Sequence, residues 1–149
     1  DFERPLKPRG RKASERMGRW LVDENIVPDK VLCSPAVRAK TTALIATEAM
    51  GVGTDSIVWV DGIYEASVER LLYVIAEHGA NARRLLVVGH NPGLEWLAAS
   101  LANGLDLGAN HDKAFPSAAL GVLEVGASWD ELAPGCATSA RIIRPRALA

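Results

Sequence analysis

The sequence predicts an α/β fold, a three-layer sandwich in which helices flank a mostly parallel central sheet. Two observations predict it. Short apolar runs alternate along the chain with stretches that carry apolar residues every three or four positions, the pattern of strand–helix units. The run LLVV at residues 85–88 has no polar alternation, so we expect that strand to be buried on both faces, as in a parallel sheet. The 149 residues fit one domain, with residues 1–149 sharing a core.

Four segments have helical spacing. The first helix is expected near residues 10–25, and the second lies in AVRAKTTALIATEAM, with Gly51 directly after its end. In SVERLLYVIAEH, Ser67 is the expected N-cap. In NPGLEWLAASL, Asn91 is the expected cap and Pro92 the first helical residue. Strands are expected in DKVLC, SIVWV, RRLLVV, AALGVLEV and ARIIRP, which are short apolar runs next to turn residues.

Composition excludes several function classes. The chain is 48% hydrophobic with a net charge of −1, and nucleic-acid binders usually carry a basic excess, so we expect no nucleic-acid partner. No apolar run approaches ~18 residues, so no membrane association is expected. Cys33 and Cys136 are far apart in sequence, which is typical of a reducing compartment, and we expect a cytoplasmic protein. Since no metal-ligand spacing or nucleotide-binding loop occurs, we expect no metal and no cofactor. The absence of a GxSxG motif argues against a hydrolase of the serine-triad type.

Two turns place candidate chemistry at the same edge of the predicted sheet. His90 follows the strand LLVV and precedes a helix N-terminus, where backbone N–H groups favour anions. It either serves a reaction or satisfies a loop carbonyl. Arg38 lies in the first turn of the second helix, where a cation needs a compensating anion, either a carboxylate or a bound phosphate. Glu65 follows a third strand end and is either a general acid near that anion or a solvated loop residue.

The order of these segments resembles the histidine phosphatase superfamily, and in particular its SixA-type phosphohistidine phosphatases. The similar segments are RPLKPRGRKASERMGRWL, VLCSPAVRAKTTALIA, IYEAS, LLVVGHNPGLEWLA and FPSAALGVLEV, which together span nearly the whole chain. The resemblance implies the phosphoglycerate-mutase-like α/β fold. It also implies a metal-independent phosphatase in which a histidine of an Arg-His-Gly motif attacks phosphorus and water hydrolyses the resulting phosphohistidine.

The same resemblance assigns roles to residues of this chain. Arg38 would clamp the phosphoryl oxygens, and His90 would stabilise the charge that develops on them. Glu65 matches the place of an acid in phosphoglycerate-mutase-like relatives, and Asp1 matches an acidic position of the SixA branch. Ser117, in the FPSA turn, is expected to face the phosphate-binding pocket.

The chain departs from the family pattern at one point. The Arg-His-Gly motif and the first strand of the fold are not among the 149 residues, so we expect the nucleophile upstream of Asp1. The substrate expected from the resemblance is a phosphorylated protein or a small phosphate. Three functions stay open: a phosphohistidine phosphatase, a phosphatase of small phosphoesters, and an inactive domain of the same fold that binds phosphate or a partner.

Overall fold

Helices and strands alternate along the chain as far as the third strand, and an antiparallel strand pair follows. The structure, a computed structural model, describes residues 1–105 and 119–145. In these ranges the helices are α1 (Pro8–Asp23), α2 (Val37–Met50), α3 (Val68–His78) and α4 (Gly93–Leu101). The strands are β1 (Lys30–Cys33), β2 (Ile57–Trp59), β3 (Leu85–Val88), β4 (Leu120–Val125) and β5 (Ala137–Ile143). No helix of the described ranges is both long and apolar enough to cross a membrane.

The central sheet is parallel, with strand order β2-β1-β3. Its three strands therefore end at the same edge, where α2 follows β1 and α4 follows β3. In the pairing register Cys33 lies opposite Val88, so the residues that follow these two positions are neighbours at that edge. The predicted α/β fold with a parallel sheet is confirmed. The register is what brings the two candidate turns together.

Helices cover both faces of this sheet. Leu32 of β1 points to one face and packs in a cluster with Leu71 of α3 and residues of α4. Its neighbour Val31 points to the opposite face and packs against Ala39 and Ala43 of α2. Alternate side chains of one strand are thus buried on opposite faces, because successive strand residues point in opposite directions. The result is the predicted three-layer arrangement.

The first helix packs on the second through a close backbone approach. A Cβ atom added at Gly18 of α1 would lie 2.7 Å from the carbonyl oxygen of Ala46 in α2. That spacing is shorter than ordinary van der Waals contact, so glycine is the residue that allows it. Ala13, Met17 and Leu21 lie on the buried side of α1. Consequently the opposite side of α1 faces solvent.

The predicted start of α3 and the predicted end of α2 are confirmed, whereas the predicted start of α4 lies one residue too early in the chain. The Ser67 hydroxyl accepts a hydrogen bond from the Arg70 amide at 3.1 Å, so Ser67 is the N-cap of α3. Gly51 ends α2 with a φ of 75°, a left-handed conformation that glycine adopts easily. However, α4 begins at Gly93, and Pro92 rather than Asn91 occupies the cap position, with a backbone already near helical values.

A groove separates the parallel sheet from the antiparallel β4–β5 pair. This β3–β4 groove, of about 660 Å³, is lined by Leu85 and Leu86 on one side and by residues 120–125 on the other. The two facing strands are not hydrogen-bonded to each other. Both faces of β3 are covered as predicted, since Leu85 and Val87 pack against one core cluster and Leu86 and Val88 against another. All four residues of β3 are only half-buried, because one edge pairs with β1 and the other borders the groove.

Candidate active site

The candidate site lies at the edge of the sheet where β1 and β3 end. Arg38 is in the first turn of α2, and His90 lies between β3 and α4. Both side chains border one open cleft of about 360 Å³, which the segment before α1 and its first turn also line through Arg4, Leu6 and Gly10. Two strand–turn–helix units and the N-terminal segment therefore build the cleft together.

Arg38 and His90 are in direct contact, although 52 positions separate them in sequence. The Arg38 NH2 group lies 3.3 Å from Nδ1 of His90. A guanidinium can only donate hydrogen bonds, so Nδ1 must accept. The imidazole proton is therefore on Nε2. The expectation that these two side chains converge on one place agrees with this geometry, while their catalytic roles stay predictions.

The second nitrogen of His90 is held by Ser34, a residue for which the sequence suggests only a turn. Nε2 lies 2.8 Å from the Ser34 hydroxyl oxygen, to which it donates. The Ser34 side chain is fully buried, and its oxygen also accepts from the Ala36 amide at 3.2 Å. Ser34 thus orients the His90 ring. Sequence position could have indicated it, since Ser34 follows β1 at the edge where His90 follows β3.

The surroundings of His90 favour its neutral form. Burial of the ring, and secondarily the positive charge of Arg38, lower the pKa of His90 from 6.5 to about 4. At neutral pH the ring therefore carries one proton, in agreement with the hydrogen bonds to Arg38 and Ser34. A neutral imidazole of this kind is a hydrogen-bond donor through Nε2.

Asp1 supplies the anion that a cation at a helix N-terminus needs. Its carboxylate lies 3.1 Å from NH2 of Arg38 and 3.3 Å from Arg4, and the Asp1 carbonyl accepts from NH1 of Arg38 at 2.7 Å. Of the two compensating anions that the sequence left open, the structure contains the carboxylate. The Asp1 side chain is 55% exposed and that of Arg38 is 20% exposed, so solvent screens their ion pair.

Tyr64 connects Asp1 with His90, and sequence reasoning missed it. Its ring packs edge-on against His90 at 5.3 Å between centroids, and Phe2 packs against Tyr64 at 5.1 Å. Such pairs contribute about 0.5–1.5 kcal/mol beyond the area that they bury. The Tyr64 hydroxyl donates to the Asp1 carboxylate at 3.3 Å. In the segment IYEAS the sequence pointed to the carboxylate of Glu65, whereas its neighbour Tyr64 makes the contacts with His90 and Asp1.

Two predicted site residues are not brought into these contacts. Glu65 is exposed, has a φ of 55°, and does not line the cleft. Its role as an acid stays a prediction. Ser117 lies outside the described residues, and nothing follows for its predicted place in the pocket. Within residues 1–105 and 119–145, no group of three His, Cys, Asp or Glu residues could hold a metal ion.

Comparison with known proteins identifies the family. The family model of the histidine phosphatase superfamily (branch 1) matches residues 3–67. An uncharacterized protein of Mycobacterium tuberculosis is 34% identical over 151 residues, which cover 98% of this chain and 92% of the relative. The chain belongs to the histidine phosphatase superfamily. An uncharacterized protein of Mycobacterium leprae is 29% identical over 139 residues, 89% of this chain and 81% of the relative.

Solved structures place this histidine phosphatase superfamily member near SixA proteins. The proposed phosphohistidine phosphatase SixA from Nakamurella multipartitia has a TM-score of 0.76 and 27% identity, covering 94% of this chain and 85% of that one. The corresponding protein from Agrobacterium tumefaciens has a TM-score of 0.68 and 28% identity, covering 83% and 78%. A protein histidine phosphatase SixA complexed with tungstate shares the fold, with a TM-score of 0.76 at 23% identity over 99% and 88% of the chains.

Proposed function

We propose that this member of the superfamily is a metal-independent phosphatase that hydrolyses phosphohistidine on a protein. The observation that carries the proposal is the contact between Arg38 and His90 at the end of two parallel strands. A guanidinium fork suits phosphoryl oxygens, and phosphoryl transfer depends mainly on positioning and on neutralising their charge. Similarity to SixA proteins supports phosphohistidine as the substrate.

In the proposed reaction a histidine nucleophile attacks phosphorus. The bond between phosphorus and the substrate imidazole breaks, a bond to the enzyme histidine forms, and the leaving imidazole takes up a proton. Water then attacks phosphorus, releasing phosphate and regenerating the histidine. Arg38 would donate to the phosphoryl oxygens in both steps, and His90 beside it would stabilise the charge that grows on the same oxygens.

The nucleophile is proposed to come from an Arg-His-Gly segment upstream of Asp1, on a strand that pairs within the β3–β4 groove. Leu86 and Leu120 line both this groove and the cleft, so the two spaces adjoin each other. A strand that runs parallel to β3 would end at the edge where Arg38 and His90 lie. The edges of β3 and β4 that border the groove have no other strand paired to them among the described residues, which supports this arrangement.

The test is hydrolysis of phosphohistidine and of an aryl phosphate by the full-length protein. His90→Ala should lower the rate by about 10²–10³, as removal of a transition-state donor does in other enzymes. The matched control is His78→Ala, because His78 ends α3 and pairs with Glu77 away from the cleft. A labelled phosphoryl group should remain bound to the enzyme after denaturation in alkali. If the protein hydrolyses neither substrate but still binds phosphate, the enzyme proposal fails and the protein is an inactive, phosphate-binding domain.

The choice between phosphohistidine and phosphoesters depends on the leaving group. Phosphohistidine has a better leaving group than an alkyl phosphoester and needs less help from an acid. Glu65→Gln should therefore slow the hydrolysis of phosphoesters and spare that of phosphohistidine. Equal slowing of both reactions would contradict phosphohistidine as the preferred substrate.

A further inference from the structure

A strongly basic surface covers the segment before α1 and the outer side of that helix. Residues 4–19 contain seven of the 17 Lys and Arg residues and one of the 18 acidic ones, a net charge of +6 in a chain of net charge −1. All seven cations are exposed. We name this surface the basic face; its members are Arg4, Lys7, Arg9, Arg11, Lys12, Arg16 and Arg19.

The basic face is continuous with the candidate active site. Arg4 and Gly10 line the cleft that contains Arg38 and His90, and Gly10 stands between the exposed Arg9 and Arg11 in the first turn of α1. Met17 and Leu21 line the cleft further along, so the buried side of α1 forms one wall of it. The 16 residues of α1 span about 24 Å.

The outer side of α1 carries cations along its length. Lys12, Arg16 and Arg19 are spaced four and three residues apart, so they lie on one side of the helix. That side is opposite the buried one, through which Gly18 contacts α2. A row of charges on the outer side of this cleft wall is thus open to solvent.

Helix stability does not account for these charges. The first turn of α1 has no acidic residue, and no side chain caps its N-terminus. A cation there opposes the helix dipole at a cost of about 0.3–1 kcal/mol. Within the described residues, only Arg4 and Arg19 of the basic face have ion-pair partners, namely Asp1 and Glu15. The remaining cations are free to meet an external anion.

We propose that the basic face docks an acidic polypeptide segment that flanks the phosphorylated residue of a protein substrate. The inference rests on the proposed function, because the phosphoryl group is taken to enter the cleft beside Arg38. An extended peptide segment that lies along α1 would place about seven of its residues over the basic face, because each extended residue spans about 3.4 Å. Outside residues 4–19 the chain has a net charge of −7, which disfavours a long polyanion such as DNA and suits a short acidic segment.

The test compares two peptides of equal length that contain a stable phosphohistidine analogue, one with acidic flanks and one with Gln and Asn flanks. Binding of each peptide, and of inorganic phosphate, to the full-length protein is measured by calorimetry at two salt concentrations. The variant is Lys12→Glu with Arg16→Glu. The matched control is Arg70→Glu with Arg83→Glu, two exposed cations outside residues 4–19. Circular dichroism checks that all variants are folded.

We expect the acidic peptide to bind more tightly than the neutral one, with a larger loss of affinity at high salt. The basic-face variant should weaken the acidic peptide about 10-fold and inorganic phosphate less than about 2-fold, and the control should change neither. Three results would overturn docking of an acidic segment: the two peptides bind equally, the control variant weakens the acidic peptide as much as the basic-face variant does, or an oligonucleotide of the same charge binds more tightly. If Arg38→Ala leaves phosphate binding unchanged, the proposed function fails, whatever the effect of the flanks.

Discussion

At neutral pH we expect the His90 imidazole to be uncharged, with its proton on Nε2. The perturbation that tests this is Arg38→Gln, which removes one of the two causes of the low pKa and the obligate donor to Nδ1. With a pKa of about 4, about one His90 in a thousand is protonated at pH 7, whereas a free histidine is protonated in about a quarter of molecules. The Arg38→Gln substitution should raise the pKa of His90, yet keep it below 6.5, because burial is the larger cause.

The lowered pKa has a consequence for stability. The folded protein disfavours protonated His90, so between pH 6.5 and about 4 the unfolded chain binds more protons. Stability from this group is fully present above pH 6.5 and is lost as pH falls towards about 4. The pKa difference corresponds to at most about 3.4 kcal/mol. Because the ring is only half-buried, solvent screening reduces the expected loss to about 1–2 kcal/mol.

Two measurements check this prediction on the chain itself. A ¹⁵N-edited NMR titration reports both the pKa of His90 and which nitrogen carries the proton. Urea unfolding of the wild type and of His90→Gln at several pH values isolates the contribution of the ring, and Arg70→Gln serves as the control for loss of a distant cation. The reasoning would be refuted by a wild-type pKa at or above 6.5, by a proton on Nδ1, or by a pKa that falls in Arg38→Gln.

Two further predictions concern packing and thiol chemistry. Gly18→Ala should destabilise the protein by about 1–3 kcal/mol in urea unfolding, since its Cβ would lie 2.7 Å from the Ala46 carbonyl. Gly126→Ala, where no atom lies within 4 Å of the added Cβ, is the control, and equal effects would contradict the packing argument. Burial raises the pKa of the Cys33 thiol to about 12, so at pH 8 an aromatic disulfide reagent should modify the half-buried Cys136 and spare Cys33. Labelling of Cys33 at the same rate as Cys136 would contradict the expected protection of the buried thiol.

Local patterns predicted the elements of the fold because they depend on neighbours in sequence. Ser67 and Gly51 end helices through their own backbone and side-chain chemistry, so their roles could be read from position alone. The half-burial of β3 could not be read in this way, because its open edge borders a groove whose other side, β4, lies 32 or more residues further along the chain. An apolar run predicts a buried strand and says nothing about what borders each edge.

The candidate site was predictable in its charged members and not in its supporting ones. Arg38 and His90 stand out because a cation at a helix start and a histidine at a strand end each need an explanation. Ser34 and Tyr64 have no such local signature. Their function depends on contacts with His90 across 56 positions for Ser34, and across 26 for Tyr64. The parallel register of β1 and β3 is the information that the sequence pattern lacks.

In the proposed reaction, Asp1 contributes to the charge that an entering phosphoryl group would meet. With His90 neutral, the charges of the Arg4, Arg38 and Asp1 side chains sum to +1, because the carboxylate neutralises one of the two guanidinium charges. A phosphoryl dianion that contacts Arg38 must therefore share the guanidinium with Asp1 or displace it, and the exposure of Asp1 means that displacement requires little free energy. Tyr64 donates to the same carboxylate, so displacement also breaks that hydrogen bond. The Asp1 carbonyl accepts from the other guanidinium nitrogen, so turning the Arg38 fork towards a phosphoryl group would also break this hydrogen bond unless the N-terminal segment moved with it.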